Sequence, residues 1–253
     1  MTDLAETSTN IGRYSWCRVG FGFAALACGV LAFHAAGMTA FFLTFDRRLI
    51  QFLQKREWLL FVTSVVSWSA FFGSVALVRC WPEPYWRRRS NLLFVVSLLG
   101  VVLWGMRHAV PLGLASQEIP LLPWVIQLSV GLRWIWLGLL ASLSAEVLLH
   151  LGQGGADKLR AGILATIATG VAFWIMTLML DLFPAFGPPR RGGPRVWFAA
   201  WMQFLGFWGL YCAANFSTTI VLLMSARESS TLIRELHSKG LVEEAELWSG
   251  RAR

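Results

Sequence analysis

VGFGFAALACGVLAFHAAGMTAFFLTF, residues 19–45, runs for 27 residues without a charged side chain. As a helix it rises about 40 Å, more than the roughly 30 Å of bilayer hydrocarbon. A signal-peptide core is only about 7–15 residues, so this stretch reads as a membrane span. Five more follow at 58–80, 91–110, 124–150, 161–183 and 196–225. All nine prolines fall in or beside the breaks, where helices end. A backbone in lipid must satisfy its own hydrogen bonds. The fold class that follows is all-α: a polytopic membrane protein, a bundle of six transmembrane helices with a short soluble C-terminal helical tail. The organisation expected is a disordered segment at 1–15, a membrane domain at 16–226 and a helical tail at 227–253.

Composition agrees. Apolar residues make up 56% of the chain and charged ones 14%, against about 25% charged in a soluble domain. Of the 14 Trp, Trp16, Trp58, Trp81, Trp86, Trp124, Trp197 and Trp248 fall near span ends, where the indole suits the headgroup level. The net charge of +8 sits in the breaks between spans. It sets topology and meets anionic headgroups, so the lipid bilayer is the partner expected and nucleic acid is not. Cys17, Cys28, Cys80 and Cys212 include no C-x-x-C pair and read as packing residues, not as a disulfide framework or a metal site.

Lys and Arg divide thirteen to eight between the two faces, the richer face holding both termini. Both termini are therefore expected in the cytoplasm. The break DRRLIQFLQKREW, residues 46–58, goes against this distribution, and its mixed pattern predicts a short amphipathic turn lying on the membrane surface.

In the first span, Gly20, Ala24, Cys28, Ala32, Ala36 and Ala40 are small residues four apart. Such a stripe lets a second helix approach closely, and predicts a tight contact within the bundle or with another copy.

The fourth span carries Arg133 and Glu146, only about 18 Å apart along a helix. At least one must enter apolar depth. Arg133 leans toward the outer face and can snorkel, whereas the short Glu146 leans toward the membrane centre. His150 at i+4 and Asn215 at similar depth are the partners expected for Glu146. His34 and Gln203 are expected near Arg133. These six residues form a candidate polar site, with a proton relay or cation site weighed against helix-locking glue. Arg107 and Asp181 form a candidate boundary ion pair. His34 and His108 differ by roughly 13 Å in depth and cannot share a haem. No cofactor and no metal is expected.

The tail reads LIRELHSKGLVEEAEL, residues 232–247. Leu232, Ile233 and Leu236 share an apolar face, Gly240 interrupts it, and Leu241, Val242 and Leu247 resume it. With Leu236, Gly240, Leu241, Val242, Glu244 and Glu246 in place, the string resembles the SHOCT motif, a short helical hairpin at the ends of many bacterial proteins. Leu247 stands where that motif usually carries an aromatic. The resemblance covers less than a tenth of the chain. It implies self-association or docking, and a bacterial cytoplasmic membrane.

Three functions follow in order of expectation: an interaction or assembly component acting through the first span and the tail; a carrier or channel for a small solute or ion; and a membrane enzyme acting on lipid. The second requires a polar cavity containing Glu146 or Arg133 and opening to at least one side. The first requires part of the Gly20–Ala40 stripe to be exposed.

Overall fold

A computed structural model describes residues 2–80, 84–109, 122–182 and 194–250, with side chains at 12–80, 86–106, 125, 127–176, 178 and 201–238. The elements are helices: α1 (Thr2–Thr44), α2 (Arg47–Leu53), α3 (Arg56–Val78), α4 (Pro84–Ala109), α5 (Leu122–His150), α6 (Ala156–Leu182) and α7 (Pro194–Gly250). All but α2 are long and apolar enough to cross a bilayer. The six-span, all-α membrane fold is therefore observed.

Three local outcomes differ from or refine the expectation. The segment at 2–15 is the first part of α1, not a disordered lead. Helix propagation is easy once a span has nucleated it. The tail is likewise one continuous helix with the sixth span. Gly240 does not break it, because a single glycine costs only about 1 kcal/mol in a helix. The first break does form a short helix, α2. Asp46 caps it by accepting from the Arg48 backbone N–H at 2.8 Å, and Phe45 makes the corner with φ at 54°. Leu53 is buried against Gly37, while Arg47, Arg48 and Phe52 are exposed.

The packing order is a ring. Helix α1 packs on α3 and α7, α4 packs on α3 and α5, and α5 closes the circuit on α7. Helix α6 lies outside it against α5 and α7, and its span is the least buried of the six. Large apolar side chains such as Phe33, Leu99 and Leu223 are exposed on the outer surface, as lipid contact requires.

The interior of α1 is not the stripe the four-residue spacing points to. Cys17, Phe21, Ala24, Cys28, Leu31 and Ala35 are each at most 1% exposed. They alternate steps of four and three, a 3.5-residue period that keeps one face on a partner. A strict four-residue ladder drifts by roughly 40° per step on a helix of 3.6 residues per turn. Gly20, Ala24, Cys28 and Ala32 are therefore buried, whereas Ala36 is exposed and Ala40 half-buried. The buried end does allow close approach. A β-carbon on Gly73 of α3 would lie 3.0 Å from the Gly20 carbonyl oxygen and 3.2 Å from the Ala24 nitrogen.

Candidate functional site

Arg133 sits partway along α5 and reaches into the ring. It lies within electrostatic reach of His34 on α1 and of Tyr211 on α7. His34 is oriented by its neighbours: its Nδ1 accepts from Trp58 Nε1 at 3.2 Å, and its ring stands edge-on to Trp208. Tyr211 is stacked on Phe207 and edge-on to Trp134, 5.0 Å between centroids. The Tyr211 hydroxyl has Arg133 and Asn215 for neighbours, yet completes no hydrogen bond with either. Among the described residues no carboxylate pairs with Arg133. An uncompensated Arg at mid-span costs roughly 2.5–3.5 kcal/mol on insertion scales.

On its other side Arg133 borders a cavity of about 60 Å³ between α3, α4 and α5, space for several waters. The cavity is partly open. Helices α3 and α5 do not pack along one another, and the cavity occupies the wedge between them. Its polar lining is Thr63 and Ser67 of α3, Ser97 and Trp104 of α4, and Ser129 and Trp136 of α5. The rest is apolar. Ser97 Oγ and Trp136 Nε1 are buried without a hydrogen-bond partner. A buried donor left unpaired costs about 1–3 kcal/mol. Gly100 also lines the space, and a β-carbon there would meet nothing within 4 Å. A second hollow, on the outer face of α1, α3 and α7, is lined by groups such as Gly22, Gly29, Phe33 and Leu223 and contains no charge.

The other residues singled out from the sequence are placed differently. Glu146 pairs with Arg89 of α4 at 3.5 Å, with the two side chains 31% and 25% exposed. His150 is exposed at the end of α5. Asn215 does not lie beside Glu146. It is fully buried near Tyr211, its amide donating to the Tyr211 carbonyl at 2.8 Å, with Oδ1 unpartnered. Nearer Glu146 it is Ser225 of α7 that meets α5, its hydroxyl donating to the Ser144 carbonyl at 3.3 Å. Gln203 is buried on α7 about 12 Å beyond Tyr211 and does not join Arg133. The side chains of Arg107 and Asp181 lie outside the described residues, as do those of residues 239–248 of the tail. Trp58 and Trp86, expected at headgroups, are tied into the bundle: Trp86 is 2% exposed and donates to the Leu77 carbonyl at 3.1 Å. Trp16 is exposed, with the Arg79 guanidinium 4.9 Å from its ring.

The sequence reading missed Arg89, Tyr211, Ser97 and Trp136. Arg89 belongs to a basic run that looks like a topology signal. The other three look like ordinary span residues. The available signal was joint: hydroxyls and indoles on three spans at the depth of an unexplained Arg.

The arrangement offers donors. Guanidinium and indole N–H groups cannot accept a hydrogen bond, and the serine hydroxyl beside them is free to donate. No family model, curated protein or solved structure matches this chain.

Proposed function

We propose that this protein is a carrier or channel of the bilayer, holding a small solute in the cavity beside Arg133. One observation carries the reading: Arg133, which pairs with no carboxylate among the described residues, lines a partly open, hydroxyl-bearing cavity. That is the feature by which a carrier or channel differs from a purely structural bundle. Charged groups inside spans face such cavities and mark solute pathways. The small-residue stripe does not decide between this reading and assembly: Gly20, Ala24, Cys28 and Ala32 are buried in the bundle, whereas Ala36 is exposed and Ala40 half-buried. Glu146 contributes by fixing α5 to α4 through Arg89, not by meeting the solute.

Gly100→Leu is the direct test, since Gly100 lines the cavity and a β-carbon there meets nothing within 4 Å. Purified in mild detergent, the wild type is expected to carry a bound small molecule, read by native mass spectrometry, that the variant lacks. An identical set of bound molecules on both proteins counts against the reading.

The assembly reading rests on the exposed end of the stripe at Ala36 and on α7, which continues as helix to Gly250, well past its apolar part. It proposes that the tail docks on a second copy or on another membrane protein. Deleting residues 227–253 should then reduce the size of the detergent-solubilised particle by more than the deleted mass. We also place both termini in the cytoplasm of a bacterial inner membrane, on the Lys and Arg distribution and the tail's likeness to SHOCT.

A further inference from the structure

The geometry points to an anionic amphiphile as the occupant: a single carboxylate or phosphate group held at Arg133, with an apolar body extending out of the cavity. This rests on the proposal that the cavity is a solute site, and adds the chemistry of the solute.

The charge follows from what the site lacks. Arg133 has no carboxylate partner among the described residues. Trp136 Nε1, which can only donate, and Ser97 Oγ are both buried and unpartnered at the same cavity. A cation would meet a like charge and two more donors. A neutral alcohol can accept from two donors at most and brings no charge to compensate the guanidinium. An acid group brings several acceptor lone pairs and the missing charge in one small unit.

The apolar body follows from the size and walls of the space. About 60 Å³ accommodates an acid headgroup and little more. Any larger molecule must protrude, and what surrounds the headgroup is apolar: Val66 and Ala70 on α3, Val96 and Leu103 on α4. Leu92, Val95, Leu99 and Val102, roughly 120° around α4 from the residues that line the cavity, are exposed. The lipid that this face implies is the apolar medium proposed for the chain. A freely soluble anion would have nothing there to contact.

The experiment measures dissociation constants by calorimetry for the full chain in nonionic micelles. The probes are decanoate, decyl phosphate, decanol, decyltrimethylammonium, acetate and inorganic phosphate. A hydrogen bond to a charged group contributes enough for about tenfold or more in affinity. Decanoate or decyl phosphate is therefore expected to bind at least tenfold more tightly than decanol. Arg133→Gln should bring that ratio to about one, Arg133→Lys should retain most of it, and Gly100→Leu should weaken every amphiphile. Should Arg133→Gln not fold, the wild-type ratio and the weakening of every amphiphile in Gly100→Leu carry the test.

Decanol binding as tightly as decanoate, or an anion preference that survives Arg133→Gln, overturns the proposal. Acetate or inorganic phosphate matching the amphiphiles overturns the apolar body. Binding of decanol or decyltrimethylammonium alone, abolished by Gly100→Leu, leaves the solute site standing and removes the anion. Binding of every probe unaffected by Gly100→Leu removes both.

Discussion

Glu146 finds its counter-charge in Arg89, a residue 57 positions earlier in the chain, whereas Arg133 on the same helix finds none among the described residues. Depth arithmetic on the sequence identified both as anomalous, because a helix rises only 1.5 Å per residue. It could not say which would be neutralised, since pairing depends on which helices become neighbours. The i+4 relation to His150 was legible because it is local; the contact with Arg89 was not. The pair is about a quarter to a third exposed, so its contribution is that of a partly solvated bridge, roughly 1 kcal/mol. Glu146→Gln is therefore expected to lower the melting temperature in detergent by a few degrees. Exchanging the charges, Arg89→Glu with Glu146→Arg, should recover most of the loss. A double exchange no better than the single change would mean that the pair does not contribute as a bridge.

At the level of the helix, α1 shows how composition and facing differ. Its small residues were visible in the sequence, and so was the prospect of close packing. The face that packs was misjudged, because the eye follows the four-residue ladder while the buried set follows 3.5. The partner was not singled out either, although Ser69 and Gly73 of α3 are small residues four apart. The Gly73 backbone lies against Gly20 and Ala24. Overpacking at such a contact costs about 1–3 kcal/mol. Gly73→Leu should separate α1 from α3 and lower the melting temperature, whereas Gly100→Leu on α4, facing open space, should leave it near the wild-type value. Equal stability of the two variants would show that the α1–α3 approach is not needed for the fold.

For the molecule as a whole, the number and lengths of the spans were legible because lipid imposes them on every helix separately. The ring of α1, α3, α4, α5 and α7, with α6 outside, was not. It arises from pairwise fits such as the ring of Trp134 against Gly170 and that of Phe173 against Gly206, where added β-carbons would clash. The even number of spans puts both ends of the chain on one side, and the proposal that this side is the cytoplasm rests on the basic residues. A reporter active only in the cytoplasm should work when fused after Arg253, and one active only outside should be silent; the opposite result reverses the orientation. Helix α7 gives this topology a mechanical consequence. The helix that carries Tyr211 beside Arg133 runs unbroken to Gly250, roughly 60 Å of rigid rod. A tilt of about 5° at the level of Tyr211 moves its far end by about 5 Å over that length. Through such a lever arm, a small displacement inside the bilayer is magnified beyond it.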